Sequence, residues 1–238
     1  MQIAKRNALH FDPVKHRYTL DGERLPSVTT ILNVIAKPAL IQWAANMAGE
    51  YVISQVAGAD ESYLLTRAQV TEWAEESKSA HRKKKEAGAA RGTDIHAHIA
   101  AIVTEAIERE GGYIPPVVTD DPQVYAFCDW ADGKRFLACE QKMCSVNHRF
   151  AGTCDLVYQD GDHIFIGDVK KYNRLYDKIP FVQMGGYSIM LEESGIAVTD
   201  GAVILLPDAG GFEVHTAEIA EYREAFMSAF NLYKTLQR

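Results

Sequence analysis

The sequence predicts an α+β or mixed α/β protein with a central sheet flanked by helices. Three observations carry that expectation. Residues 138–171 hold three short apolar runs separated by turn signals. Long stretches on both sides repeat apolar residues at helical spacing. Helical and strand-like segments are segregated along the chain, without repeats or low-complexity linkers.

Taken in order, ALHFD and HRYTL are short strand-like runs, and Asp21-Gly22 marks a turn before ERLP. Ser27 is placed to cap a helix beginning in LPSVTTILNVI. Pro38 suits the first turn of the next helix, ALIQWAANMAGEYVISQVAG. From about residue 60 to 110 the pattern is mostly helical. Gly88 and the Arg91-Gly92 step predict a break, with Thr93 capping TDIHAHIAAIVTEAIERE and Gly111-Gly112 ending it. The Pro115-Pro116 segment crosses over to another helix in DDPQVYAFCDWADGKRFL, with Pro122 near its start.

CEQKMCSVNH, GTCDLVYQ and HIFIGDVKK then read as a three-strand meander, with turns at 147–150 and Asp160-Gly161. IPFVQMGGYSIMLEES follows as a helix, weakened by Gly185-Gly186. GAVILLP and FEVHTAE pair across Gly210-Gly211, and an amphipathic helix runs from about Ala217 to the end. The length of 238 residues suits one large domain, or one domain with a helical extension. The expected division is an N-terminal hairpin and helical region at 1–90 and a core at 91–238.

The 47% hydrophobic and 24% charged content is that of a globular protein. No apolar run approaches a bilayer span, and MQIAKRNALHFDP lacks the apolar centre of a secretory signal, so a cytoplasmic protein without membrane contact is expected. Cys128, Cys139, Cys144 and Cys154 form no C-x-x-C pair, which favours buried free thiols over zinc or disulfides. The net charge of −7 argues against indiscriminate coating of nucleic acid. Yet KSAHRKKKEAGAAR, residues 78–91, holds six Lys/Arg against one Glu. Such a run is either a solvated helix face or a patch that directs a polyanion to one place.

The chemistry is concentrated in AGTCDLVYQDGDHIFIGDVKK, residues 151–171. Asp168 and Lys170 are two apart on a strand and share a face, while Val169 points to the opposite layer. Pairing through Asp160-Gly161 brings Asp155 near Asp168, and Glu140 lies on the strand before. Clustered carboxylates repel unless a cation sits among them. A hard divalent ion with oxygen ligands resolves that repulsion, and a nearby lysine supplies a compact positive charge for phosphodiester hydrolysis. The alternative is a surface ion pair at a strand end.

GTCD followed by DVK resembles the PD-(D/E)xK nuclease superfamily. RGTDIH resembles the helix that supplies a histidine in its RecB-like branch, QMGGY matches that branch's Q-x-x-x-Y motif, and LPSVTTIL resembles the N-terminal segment of phage exonucleases and the mitochondrial genome maintenance exonuclease. The ordered motifs run from Pro26 to Tyr187. The resemblance implies a restriction-endonuclease-like core with a helical N-terminal extension that threads DNA. It implies that His96, Asp155 and Asp168 bind Mg²⁺ or Mn²⁺ with the carbonyl of Val169, that Lys170 is catalytic, and that Glu140 is a further ligand or water-positioning acid. Gln183 and Tyr187 support the site and the DNA strand.

Cys154 stands where the motif's namesake has proline, and Lys171 where Thr or Ser is common. No cysteine follows Cys154, so no iron–sulfur cluster is expected. His98 faces roughly away from His96 on a helix and is read as a non-ligand. Arg82, Lys83, Lys84, Lys85, Arg91, Lys171, Arg174 and Lys178 are the expected DNA contacts. Trp43, Trp73 and Tyr51 fit core packing better than base stacking.

The expected function is a metal-dependent DNA exonuclease in phage or bacterial recombination, repair or replication. It would act on single-stranded or end-containing double-stranded DNA, with a single-strand annealing or binding protein as a further expected partner. No G-x-x-x-x-G-K-[ST] occurs, so no helicase motor is expected in this chain. A structure- or sequence-specific endonuclease and a catalytically silent DNA-binding module on the same fold are the alternatives.

Overall fold

The computed structural model describes residues 9–35, 38–57, 64–171 and 173–237, with the side chains at 38–40 and 85–94 outside that description. Two compact units emerge: Met1–Ile35 together with Ile95–Arg238, and Ala36–Asp94.

The first unit contains two sheets. Strands β1 (Leu9–Asp12), β2 (Arg17–Leu20) and β3 (Glu23–Leu25) form an antiparallel sheet in sequence order. The second sheet has the order β4 (Arg135–Ser145), β5 (Phe150–Asp160), β6 (His163–Lys170), β7 (Asp200–Leu205), β8 (Glu213–Glu218). Only β6 and β7 run parallel. Their connection carries helix α5 (Ile179–Glu192), as a parallel pair requires a crossover. The fold is therefore mixed α+β with a central mixed sheet flanked by helices, and the three-strand meander lies where the turn signals place it.

One boundary lies between Asp94 and Ile95, close to the one expected near residue 90, but Met1–Ile35 group with the core and not with the helical region. The N-terminal strands group with the large sheet because the segment after them is bonded to β5. The Ala151 amide donates to the Pro26 carbonyl at 3.0 Å, and Tyr18 and Thr153 share a hydroxyl hydrogen bond of 2.7 Å. Ser27 then caps α1 (Val28–Ile31) by accepting from the Thr30 amide, and Val28 and Ile31 are fully buried.

Helix α2 (Pro38–Gln55) belongs to the other unit, and α3 (Arg67–Arg109) runs through the division. The predicted break at Gly88 and Arg91-Gly92, with Thr93 as a cap, is not present: the backbone stays helical throughout. A glycine costs a helix only about 1 kcal/mol, and the surrounding Ala, Lys and Glu are strong helix formers. Within the Ala36–Asp94 unit, Trp43 meets His81 edge to face and the Tyr51 hydroxyl donates to Glu76. Trp43, Tyr51 and Trp73 are all partly buried.

Both faces of the large sheet are covered. One face packs Ile166, Val203 and Leu205 against α5 and α6 (Ala220–Leu236), through Met184, Met190, Phe226 and Phe230. On the other, Val169, Ala202 and Ile204 meet Ile95, Ile99 and Val103 of α3 and Phe127 and Trp130 of α4 (Pro122–Ala131). Helix α4 stops at Ala131, earlier than the apolar pattern implied, and β4 takes over at Arg135. The glycine pair in α5 has a packing role. A Cβ on Gly185 would lie 2.3 Å from the Tyr222 carbonyl oxygen of α6, so the two backbones cross where no side chain fits.

Candidate metal centre

Three elements of the sheet-bearing unit converge on one group of side chains. His96 comes from α3, Glu140 from β4 and Asp155 from β5. One ligand atom from each lies within 4.8 Å of the others. Pairing of Cys139 with Leu156 and of Gln141 with Cys154 sets Glu140 across from Asp155 on the neighbouring strand. Glu140 has φ +46°, a conformation that costs a non-glycine residue on the order of 1 kcal/mol or more. It follows a register shift between Phe136 and Ala138, and bulges characteristically re-aim side chains beside functional sites.

Hydrogen bonds fix the orientation of the histidine. His96 Nε2 lies 3.0 Å from the Val169 carbonyl oxygen, which can only accept, so Nε2 carries the proton. That leaves Nδ1 3.7 Å from Asp155 Oδ2 and 3.8 Å from Glu140 Oε1. The Val169 amide in turn donates to Asp155 Oδ2 at 3.1 Å. Val169 thus orients two members of the group through its backbone, while its side chain is buried on the α3 face. Its carbonyl, expected as a ligand, is here the partner of His96.

Asp168 stands outside the group of three. It is 4% exposed, and its Oδ1 accepts from Lys170 Nζ at 2.7 Å. Its Oδ2 is buried and lacks a hydrogen-bond partner among the described residues. An orphaned buried carboxylate oxygen carries an uncompensated desolvation cost, and a cation is a partner that removes it.

The electrostatics agree with that reading. Burial pushes the Asp155 carboxyl up to about 6, and Asp168 adds to the rise, while Lys170 and His96 oppose it. The Glu140 carboxylate raises the His96 pKa, with Asp155 adding to it; burial and Lys170 act in the other direction. Both shifts favour a proton at the point where these side chains meet. Two carboxylates and an imidazole nitrogen meet in this group, a donor set that could hold a divalent cation.

Gln183 and Tyr187 on α5 are joined as their spacing implied: Gln183 Nε2 donates to the Tyr187 hydroxyl at 2.6 Å. The Tyr187 ring lies against Gly152 of β5, where an added Cβ would come within 2.6 Å of Cε1. Gly152 is the first residue of the GTCD motif, and the sequence reading gave it no role of its own. Its signal was a glycine inside a strand, which marks a close approach.

The expected DNA contacts divide between the units. Arg82, Lys83 and Lys84 are exposed on α3 in the Ala36–Asp94 unit, and Lys84 is 3.9 Å from Glu50. The side chains of Lys85 and Arg91 fall outside the described residues. Lys171 pairs with Asp208 at 3.2 Å, Arg174 lies over the Tyr176 ring, and Lys178 over Phe181. His98 is exposed and is not part of the His96–Glu140–Asp155 group. Cys144 and Cys154 are buried, and Cys128 and Cys139 are partly buried.

No family model matches the chain. No curated protein matches it. A solved structure described as "Crystal structure of SSO0001" is similar with a TM-score of 0.39 and 8% identity, over 81% of this chain and 85% of that one. A likeness of that size carries no argument about function. No helix among the described residues is long and apolar enough to cross a membrane.

Proposed function

We propose that this chain is a metal-dependent DNA exonuclease of the PD-(D/E)xK superfamily, RecB-like branch, built on a restriction-endonuclease-like core. The observation that supports it most is the convergence of His96, Glu140 and Asp155 within 4.8 Å, beside a lysine bonded to the buried Asp168. A structural ion pair would need neither the left-handed Glu140 nor an unpartnered carboxylate oxygen.

His96 Nδ1, Glu140, Asp155 and Asp168 would hold Mg²⁺ or Mn²⁺. When bound, such an ion polarises a phosphoryl oxygen and lowers the pKa of a coordinated water. The chain's own groups do the rest. Val169 keeps the His96 ring proton on Nε2 and steadies Asp155. Lys170, a compact point charge held by Asp168, faces charge that develops on the phosphoryl group. Tyr187 and Gln183 form a rigid pair beside β5 that steadies the strand being cut. The cations of α3 and of the segment after β6 attract the phosphate backbone.

Incubation with end-labelled linear DNA and with closed circular DNA, in Mg²⁺ or in EDTA, tests the reading. Metal-dependent shortening of linear DNA with circles left intact is expected. Cutting of circles would assign an endonuclease, and no cleavage of either substrate in Mg²⁺ would refute the activity.

A further inference from the structure

The segment between β6 and α5 leaves the sheet at Lys170 and enters the helix that bears Gln183 and Tyr187. Tyr176 in this segment is 64% exposed. A single exposed aromatic is ordinary on a protein surface. Its neighbourhood is what sets it apart. From Lys171 to Lys178 there are three cations, and the one acid, Asp177, is engaged by the Ile179 amide at 2.9 Å. The Arg174 guanidinium lies 4.8 Å from the Tyr176 ring centroid. A cation able to pair with phosphate thus lies over the ring of a residue able to stack.

The presentation is anchored. Leu175, between the two, is partly buried and packs against the main core. Arg174 and Tyr176 flank it and are both exposed. A stacking residue fixed in this way loses little conformational freedom on binding. Tyr176 is also tethered close to the chemistry, since six residues of extended chain from Lys170 reach at most about 20 Å.

We infer that Tyr176 stacks on an unpaired nucleobase of the strand being processed, with Arg174 on the adjoining phosphate, so that the preferred substrate is single-stranded DNA or a frayed end. The inference rests on the nuclease reading above. Stacking platforms interleaved with cations bind single strands, because every base has a π-face and a duplex hides it.

The test is fluorescence anisotropy in a Lys170→Ala background, so that DNA is not consumed. The probes are short oligo(dT) and an abasic oligomer of equal length. Tyr176→Ala is expected to weaken oligo(dT) binding on the order of tenfold, and Tyr176→Phe to retain it. The abasic oligomer is expected to bind Tyr176 and Tyr176→Ala proteins alike, with equal thermal midpoints confirming the fold. Equal oligo(dT) affinity in all three proteins, or an equal loss for the abasic oligomer, would overturn the inference and leave the nuclease reading standing. Failure of the Tyr176-intact protein to bind any oligomer, with no cleavage by wild type, would overturn both.

Discussion

Replacing Asp155 with asparagine should stabilise the protein in the absence of metal, although it removes one of the three side chains that meet at the candidate site. The Asp155 carboxyl titrates at about 6 rather than 3.8, chiefly because it is buried and secondly because Asp168 is near. A folded-state pKa raised in this way means that the stability present below the unfolded value is lost as pH rises through the folded one. At roughly 1.4 kcal/mol per pH unit, the rise corresponds to about 3 kcal/mol lost between about pH 4 and pH 6. The substituted amide would keep an oxygen to accept the Val169 N–H, which now donates at 3.1 Å, and would carry no charge. In EDTA at about pH 8, Asp155→Asn should therefore melt about 5–10 °C above wild type. The difference should shrink towards zero near pH 4. Added Mn²⁺ should reverse the order, because only wild type gains linkage stabilisation from the ion. A variant less stable than wild type in EDTA at pH 8, or a difference that does not change with pH, would refute the account of Asp155 as a strained, cation-seeking carboxylate.

Two further substitutions test the packing that holds the site. Gly185→Ala would ordinarily favour a helix, but its Cβ meets the Tyr222 backbone at 2.3 Å; urea unfolding should show a loss of about 1–3 kcal/mol with an unchanged slope. Glu193→Ala removes the acceptor of the buried Ser145 hydroxyl at 2.6 Å and of the Val146 amide at 2.9 Å. It should cost about 1–3 kcal/mol and speed hydrogen exchange of the Val146 amide, and unchanged exchange there would contradict the assignment.

The sheet was the most legible part of the fold, because its signals are local. Asp21-Gly22, Asp160-Gly161 and Gly210-Gly211 supply the left-handed residues that tight turns need, and the strands follow between them. The helical break expected at Gly88 does not occur, because glycine weakens a helix without forbidding it. The grouping of the N-terminal strands was not legible either. It depends on the contacts of Pro26 and Tyr18 with β5, and these are long-range. At the site, residue types and order pointed to His96, Glu140 and Asp155, which do meet. Their division of labour was hidden. Whether the Val169 carbonyl faces an ion or the imidazole, and which oxygen of Asp168 goes to Lys170, depends on angstrom-scale placement. No spacing rule encodes that placement.

The most direct test of the central claim is the single-turnover rate of Mg²⁺-dependent shortening of end-labelled single-stranded DNA, measured for wild type and Lys170→Ala alongside calorimetric Mn²⁺ binding to each. Lys170 bonds to Asp168 Oδ1 at 2.7 Å and does not belong to the His96–Glu140–Asp155 group. A rate lower by about 100-fold or more is expected in the variant, in line with loss of one charge-stabilising donor, with Mn²⁺ still bound. Equal rates in the two proteins, or shortening that persists in EDTA, would contradict the claim.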